Sequence, residues 1–359
     1  MIDPKRIRQN PEEFLNALQK RKFNLSLDTF LQQDEKRRSL LNEAEEKKSL
    51  RNNAGKQIGL ARKKGASEQE LAAMMSDMQR IGTEVERLDT EVAELDTQME
   101  NFLLSLPNPP HESVPVQFSA EERICGETRH FLWEPKTHQE IGNDLRIAAS
   151  SAAAEKPVFC GLGARLERAV ANFLLDRLSE NGYQELSLPS DQSIVALNQN
   201  EIMPVHELPL RQCAYESRSI YLSELVMPEQ SYSELDTMTR ALEKLISLLG
   251  LPCRTVTLCA EKLDFSAAKA KRLEVWMPSL QQFVPAADCT NHEDFIARRE
   301  GIRCRSQAKE KPRYSHTLSA AINVTGSILP AILENFQNED GSVSVPEALI
   351  QRMNCSVIR

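Results

Sequence analysis

The sequence predicts an α+β protein in which a long antiparallel helical hairpin precedes a region of mixed strands and helices. Residues Asp28 to Leu106 contain no proline and only four glycines, and such a composition is typical of long helices. Apolar residues recur there at heptad spacing, which indicates two packed helices. Beyond a proline-rich linker, period-two alternations are mixed with helical patterns, which is typical of an α+β domain.

Length and charge limit the organisation of the chain and its partners. The 359 residues, of which 41% are hydrophobic, suffice for two domains, and we predict them at residues 1–110 and 111–359. The formal charge of -8 argues against attraction of the whole surface to nucleic acid, because phosphate binding needs clustered cations. Any RNA-binding surface must therefore be local.

Cysteine spacing and the chain start indicate the compartment. The eight cysteines form no C-x-x-C pair of the kind that binds zinc or works in redox motifs. The first ten residues contain no apolar signal segment, and no run of about 18 apolar residues occurs. Acidic residues such as Asp3 and Glu12 argue against a mitochondrial presequence. We expect a cytoplasmic protein with no metal site and no membrane partner.

The hairpin turn is predicted at Lys64–Ser67. Gly65 can end the first helix, and Ser67 can cap the second with Glu70 completing a capping box. The returning helix should start near Glu68. Its predicted seam against the first helix consists of Met74, Met78, Ile81, Val85, Leu88, Val92, Leu95, Met99 and Phe102.

The two predicted helices carry opposite charge. Residues 36–64 contain ten basic and three acidic residues, whereas residues 65–105 contain two basic and ten acidic ones. The charges can fix helix pairing, at about 0.3–0.5 kcal/mol per pair. They can also bind phosphates along roughly 40 Å of helix. Because aromatic residues are absent from residues 31–101, base stacking is not expected. The phosphate-binding interpretation therefore favours recognition of the shape of an RNA duplex. The candidate RNA-binding residues are Arg37, Arg38, Lys47, Lys48, Arg51, Lys56, Arg62, Lys63 and Lys64.

The linker Leu106–His111 contains three prolines that must end the hairpin. Beyond it, hydrophobic periodicity predicts both strands and helices. The predicted strands are Tyr183–Leu188, Arg254–Cys259 and Leu273–Met277. The predicted helices are Leu162–Asn181, Ser231–Leu249 and Ile328–Phe336.

Several stretches, in collinear order from Met1 to Met353, resemble bacterial-type seryl-tRNA synthetase. They are Met1–Lys5, Leu106–Asn108, Gly163–Ala169, Leu273–Pro278, Asp294–Arg299, His316–Leu318, Ala331–Asn335 and Asp340–Pro346. The resemblance implies a coiled-coil arm joined to a class II synthetase domain, whose antiparallel sheet is flanked by helices. It also implies dimerisation through residues 163–189 and an arm that holds the variable stem of serine tRNA.

The chain departs from the family pattern where the family binds ATP and serine. The arginine of the family's Gly-Arg-Thr is Ser327, and the glutamate of its Tyr-Arg-Glu-Ile-Ser-Ser-Cys-Ser-Asn strand is Pro285. Ser319 starts the segment that replaces Asn-Gly-Ser-Gly. The region that corresponds to residues 189–231 contains several serine-binding and ATP-binding motifs in the family, and in this chain that region is shortened. Arg218 is the candidate replacement for the arginine of one of these motifs.

These departures predict that aminoacylation has been lost. We therefore expect a non-catalytic, seryl-tRNA synthetase-like protein with no catalytic residues, in which ATP and Mg are lost. It would bind serine tRNA or a similar structured RNA, as a homodimer or a heterodimer with the active synthetase. Two alternatives stay open: an amino-acid-activating ligase with changed substrate, and a coiled-coil scaffold that pairs with the true synthetase. The predicted degenerate site consists of Pro285, Asp288, Asn291, Ser319 and Ser327.

Overall fold

The computed structural model describes residues 1–149, 158–189, 192–307 and 309–359. Contacts divide the chain into two compact units. One contains residue 1, residues 16–23 and residues 107–359, and the other contains residues 2–15 and 24–106. The domain boundary at residue 110 stays a prediction.

Beyond residue 110, α-helices are interspersed with groups of consecutive strands, as in an α+β domain. The helices are α1 (Pro4–Gln9), α2 (Pro11–Gln19), α3 (Asp28–Lys63), α4 (Glu68–Ser105), α5 (His138–Asp144), α6 (Leu162–Glu180), α7 (Ser231–Leu248), α8 (Phe295–Glu300), α9 (Leu329–Asn335) and α10 (Ile350–Met353). The strands are β1 (Ala120–Cys125), β2 (Ala148–Ala149), β3 (Val158–Phe159), β4 (Gln184–Glu185), β5 (Ile202–Pro204), β6 (Leu210–Glu216), β7 (Ser219–Val226), β8 (Cys253–Thr257), β9 (Lys269–Met277), β10 (Gln282–Asn291), β11 (Arg303–Arg305), β12 (Arg313–Tyr314), β13 (His316–Asn323), β14 (Val343–Ser344) and β15 (Val357–Ile358).

Helices α3 and α4 form the hairpin, which we call the arm. The Ser67 hydroxyl accepts a hydrogen bond from the Glu70 backbone N–H at 3.3 Å, and the Glu70 carboxylate accepts one from the Ser67 N–H at 3.0 Å. This reciprocal capping box satisfies two backbone donors at the start of α4. Near the base of the arm, the rings of Phe30 and Phe102 stack with centroids 5.2 Å apart.

The seam of the arm is formed by one stripe of α4 residues. Its buried members are Val85, Leu88, Val92, Leu95, Met99 and Leu103. Because their steps of three and four residues keep them on one side of the helix, they face α3 together. Burial of this stripe stabilises the pairing of two helices that are otherwise strongly polar.

The larger unit is built on an eight-stranded sheet with the order β1-β8-β9-β10-β13-β7-β6-β4. Neighbouring strands are antiparallel except for β4 and β6, which are parallel. A second sheet joins β12, β11 and β5, and two two-stranded sheets pair β14 with β15 and β2 with β3.

One face of the large sheet packs against α6, α7 and α9. Leu273 and Val275 of β9, Cys289 of β10 and Leu318 and Ile322 of β13 belong to a single hydrophobic core together with side chains of these helices. Because successive side chains of a strand point to opposite faces, the residues between them point away from the helices. We call that second side the open face.

A two-residue turn joins β6 and β7. Glu216 pairs with Ser219, and the two residues between them, Ser217 and Arg218, both have positive φ values of 48° and 67°. Such a turn matches the right-handed twist of antiparallel strands. The Arg218 guanidinium donates hydrogen bonds of 2.9 and 2.6 Å to the Glu167 carboxylate on α6, which fixes the turn on the helix side of the sheet.

The predicted fold class, α+β with a long N-terminal helical hairpin, is confirmed. The capping box at Ser67 and the start of α4 at Glu68 lie where the sequence predicted them. Helices α6, α7 and α9 lie within the three predicted ranges. Strand β4 covers only two residues of the longer strand predicted from Tyr183. Within the described residues, no helix combines the length and the apolar run that crossing a membrane requires.

The seam of the arm can be tested by truncating Leu88, which is fully buried. We expect Leu88→Ala to destabilise the arm by about 2–5 kcal/mol, because the substitution removes buried methyl groups and leaves a cavity. Urea denaturation followed by far-ultraviolet circular dichroism measures the loss. Leu60→Ala is the matched control, because Leu60 is 57% exposed on α3. An equal effect of the two substitutions would contradict the assigned seam.

Candidate functional site

Charged side chains from three adjacent strands lie on the open face. Arg272 and Glu274 alternate along β9 with the core residues Leu273 and Val275. Asp288 lies directly opposite Arg272 on β10, and Arg254 of β8 lies opposite Glu274. A cationic and anionic surface of this kind can bind a ligand that carries both phosphate and ammonium groups.

Arg272 and Asp288 form a bidentate ion pair. The Arg272 Nε donates to Asp288 Oδ1 at 2.7 Å, and its Nη2 donates to Oδ2 at 2.8 Å. The hydrogen bonds that Arg272 donates to Asp288 are the main cause that raises the pKa of Arg272 above its ordinary value. The two side chains remain 25% and 37% exposed, so the pair is accessible to solvent.

A second pair lies beside two aromatic rings. The Arg254 Nε donates to Glu274 Oε2 at 2.7 Å, and its Nη1 donates to Glu121 Oε2 at 3.2 Å. The Arg254 guanidinium also lies 4.8 Å from the ring centroid of Phe283, which contacts Trp276 edge-to-face at 5.2 Å. Guanidinium groups and aromatic faces are the side chains on which planar bases stack.

Ser319 is held by a buried histidine. The Nδ1 of His292 lies 3.2 Å from the Ser266 carbonyl oxygen, which can only accept, so this nitrogen carries the ring proton. The other nitrogen, Nε2, therefore accepts the hydrogen bond from the Ser319 hydroxyl at 2.7 Å. Burial lowers the pKa of His292 to about 4, so the ring is neutral near pH 7. The neutral ring fixes the direction of the Ser319 hydroxyl proton.

The other three residues of the predicted degenerate site have different surroundings. The Ser327 hydroxyl donates to the Pro285 carbonyl oxygen at 2.6 Å, so these two residues are in contact. Asn291 instead belongs to the helix side of the sheet, where its side-chain amide donates to the Ser231 hydroxyl of α7 at 3.1 Å. The structure thus places Asp288 on the open face and Asn291 on the opposite side.

The open face can contribute carboxylates to a magnesium ion but cannot enclose one. In the part of the chain that the structure describes, no three His, Cys, Asp or Glu side chains are grouped so as to hold a metal. Mg²⁺ is commonly bound through one or two carboxylates together with substrate phosphates and water. Glu274 can therefore serve as one such carboxylate when a magnesium ion arrives with a nucleotide.

The nine predicted RNA-binding residues all lie on α3 or directly after it. Three of them form ion pairs: Arg37 with Asp96, Arg38 with Asp34, and Lys48 with Asp89. The pairs of Arg37 and Lys48 cross to α4, as the helix-pairing interpretation of the charges predicts. The exposed residues among the others are Arg51, Lys56, Arg62, Lys63 and Lys64.

Comparisons with known proteins agree over the whole chain. The family model of the seryl-tRNA synthetase N-terminal domain matches residues 1–110, and that of the tRNA synthetase class II core domain (G, H, P, S and T) matches residues 210–336. The serine–tRNA ligase of Carboxydothermus hydrogenoformans is 38% identical over 97% of both chains. That of Thermodesulfovibrio yellowstonii is 32% identical over 100% of both chains.

Solved structures give the same result. Seryl-tRNA synthetase from Pyrococcus horikoshii complexed with ATP superposes with a TM-score of 0.88 and 26% identity, covering 100% of this chain and 99% of that one. A serine–tRNA ligase from Naegleria fowleri, 19% identical with a TM-score of 0.86, has the same fold. The arm, the antiparallel sheet and these matches define a class II aminoacyl-tRNA synthetase. Within that class, the chain belongs to the seryl-tRNA synthetase family.

The expectation of a non-catalytic protein that has lost ATP and Mg is wrong. Full-length relatives at 32–38% identity are named serine–tRNA ligase, and the similar Pyrococcus structure is complexed with ATP. The expectation arose because each departure from the family pattern, such as Pro285 and Ser327, was judged as the loss of one required side chain. Positive charge on the open face also comes from neighbouring strands, above all from Arg272 and Arg254, and single positions do not show it.

Sequence reasoning also missed Glu274 and His292 as site residues. The signal for Glu274 was present, because polar and apolar residues alternate along β9 and therefore separate the two faces of that strand. No local signal identified His292, because its partner Ser319 is 27 residues further along the chain.

Protonation of His292 gives a test of this arrangement. Its pKa falls from 6.5 when unfolded to about 4 when folded, so between these values the unfolded chain binds more protons. We therefore expect the free energy of unfolding to fall by up to about 1.4 kcal/mol per pH unit as the pH drops from 6.5 towards 4. Urea denaturation at a series of pH values measures this slope.

Comparison of two variants separates the contribution of His292 to the slope of unfolding free energy against pH from the contributions of other titrating groups. His292→Gln should remove its share of the slope, whereas His206→Gln should keep it, because the His206 side chain is 81% exposed. Identical slopes for wild type and His292→Gln would show that burial of this ring does not control its protonation.

Proposed function

We propose that this protein is a serine–tRNA ligase that activates serine with ATP and transfers it to tRNA. The observation that carries the proposal is the 38% identity to a serine–tRNA ligase over 97% of both chains. Similarity of this extent covers the arm and the sheet together, so both the tRNA-binding and the activating parts of the relatives have counterparts here.

The charged open face supports the activation step. In that step a serine carboxylate oxygen attacks the α-phosphorus of ATP, and pyrophosphate leaves with the bonding electrons. Arg272 and Arg254 supply positive charge for the phosphates, and preorganised cations of this kind lower the barrier of phosphoryl chemistry. Phe283 and Trp276 offer aromatic surface for the adenine ring.

Glu274 supplies negative charge that the reaction needs, and Asp288 holds the guanidinium of Arg272 on the same face. A carboxylate can hold the ammonium group of serine or a magnesium ion between the phosphates. Magnesium, when bound, neutralises phosphate charge and orients the leaving pyrophosphate. Pro285, Ser319 and Ser327 are proposed to shape this site through their contacts, whereas Asn291 supports the strand from the helix side of the sheet.

The arm supports tRNA binding. Its exposed cations, including Arg51, Lys56 and Lys63, form a row along α3 that suits the phosphate backbone of an RNA stem. Arg37, Arg38 and Lys48 contribute to the same row while they hold acidic partners. We propose serine tRNA as the ligand, and the arm as the tRNA-binding part of a domain covering residues 1–110.

We further propose a homodimer that assembles through residues 163–189 and works in the cytoplasm. Family membership supports a homodimer, and the comparisons give no support to a heterodimer with a second synthetase. Sedimentation analysis of the purified chain measures the assembly directly.

Pyrophosphate exchange tests the proposed activation. We expect the purified protein to exchange labelled pyrophosphate into ATP in the presence of serine, and much less with threonine or alanine. Arg272→Gln should slow exchange roughly a hundred- to a thousandfold, since it removes a phosphate-facing cation. Arg240→Gln is the matched control, because Arg240 is exposed on α7, on the opposite side of the sheet. Absence of serine-dependent exchange and of tRNA serylation in the wild type would refute the proposal.

Salt dependence tests the proposed role of the arm. We expect Arg51→Gln/Lys56→Gln to weaken binding of serine tRNA and to reduce the slope of log K against log salt by about one to two units, because each phosphate contact contributes roughly 0.7–0.9. Fluorescence anisotropy with labelled tRNA at several salt concentrations measures both quantities.

The control changes the same charge on the other helix of the arm. Arg80→Gln/Arg87→Gln removes two cations from α4, where both side chains are bound to neighbouring acids. This variant should keep the wild-type slope. Equal reductions in the two variants would mean that the charges of α3 serve helix pairing and net charge, with no selective RNA contact.

A further inference from the structure

The Arg272–Asp288 pair has the geometry that arginine uses for phosphate. Two N–H···O bonds of 2.7 and 2.8 Å join one edge of the guanidinium to both carboxylate oxygens. Carboxylate and phosphate compete for this planar fork, because both present two oxygen acceptors at similar spacing. Asp288 therefore occupies the same donors that a phosphate group would need.

Position and exposure set this pair apart from a purely structural contact. The two residues are direct cross-strand partners on β9 and β10, and both retain solvent exposure on the open face. Arg254, the neighbouring cation, divides its donors between Glu274 and Glu121 and binds neither in a bidentate manner.

We infer that Asp288 acts as an internal competitor for the phosphate-binding fork of Arg272, and that opening of this pair is a step of ATP binding. The inference rests on the proposed function, since it assigns Arg272 to the phosphates of ATP. Asp288 thus sets nucleotide affinity: every phosphate contact at Arg272 must replace a charge-assisted pair. Asp288 is a specificity-determining residue that favours ligands with enough negative charge to displace it.

Removal of the carboxylate should tighten phosphate binding. We expect Asp288→Asn and Asp288→Ser each to lower the Kd for ATP by about ten- to a hundredfold, the range set by one charge-assisted hydrogen-bonded pair. The gain should decrease from ATP through ADP to AMP and vanish for adenosine, which carries no phosphate. Isothermal titration calorimetry measures all four ligands with each variant.

Two controls separate this role from a general change of charge or fold. Arg272→Gln/Asp288→Asn should show no gain, because the fork itself is gone. Glu229→Gln breaks another bidentate pair, that of Glu229 with Arg313, on the connection before α7. It should change the Kd for ATP by less than about twofold, since exposed charges away from the site are screened. Circular dichroism verifies that each variant is folded.

Unchanged ATP affinity in both Asp288 variants would overturn the inference, as would an equal gain for adenosine and ATP. A lowered melting temperature with unchanged affinity would assign the pair a structural role only, and it would overturn the inference in the same way. A gain in ATP affinity that persists in Arg272→Gln/Asp288→Asn would also contradict the inference.

A separate probe distinguishes this inference from the proposed function. Inorganic triphosphate contains the competing phosphates without adenosine, so its binding to wild type and Asp288→Asn reports on the Arg272 fork alone. Serine-dependent pyrophosphate exchange by the wild type reports on the proposed function. A triphosphate gain without exchange would support the fork and reject the ligase activity, whereas exchange with no gain in either ligand would do the reverse.

Discussion

The alternation of side chains along the central strands is the constraint on which the rest of this structure depends. Because the pleat has a period of two, each strand that buries Leu273 or Cys289 against the helices must turn Arg272 or Asp288 to the other side. A shift of pairing by one residue would place charges in the core and leucines on the surface. The hydrophobic burial that stabilises the fold thereby also brings the charged residues together on the open face.

The arm follows a different principle, in which contacts between residues close in sequence dominate. The capping box of Ser67 and Glu70 fixes the turn locally, and the stripe around Leu88 and Val92 specifies the partner face. Opposite charges on the two helices then contribute little energy per pair at the exposed surface. The arm can therefore keep a surplus of exposed cations on α3 for a ligand without losing the pairing of its helices.

These principles explain how far the sequence could be interpreted. The turn of the arm and the start of α4 were predicted to the residue, since caps and glycine are encoded within a few positions. Heptad spacing predicted the buried seam from Val85 to Met99, but not Leu103. The charged face was missed, because Arg272 and Asp288 lie 16 residues apart and meet only when β9 and β10 pair in register. The inference of lost catalysis failed for the same reason: it compared single positions, whereas charge on a sheet face belongs to several strands. Asn291 was assigned to the same site as Asp288, although residues three positions apart on a strand point to opposite faces of the sheet.

The two-residue turn at Ser217 and Arg218 has a consequence for how chains of this family vary in length. Alignments with the relatives span 415 to 424 residues, whereas this chain has 359. Because β6 and β7 pair without interruption up to Glu216 and Ser219, residues inserted at their junction would extend outward and leave each rung of the ladder unchanged. Evolution can thus shorten or lengthen the protein at such a junction while the sheet keeps its alignment, which allows large differences in size between homologues that share one architecture.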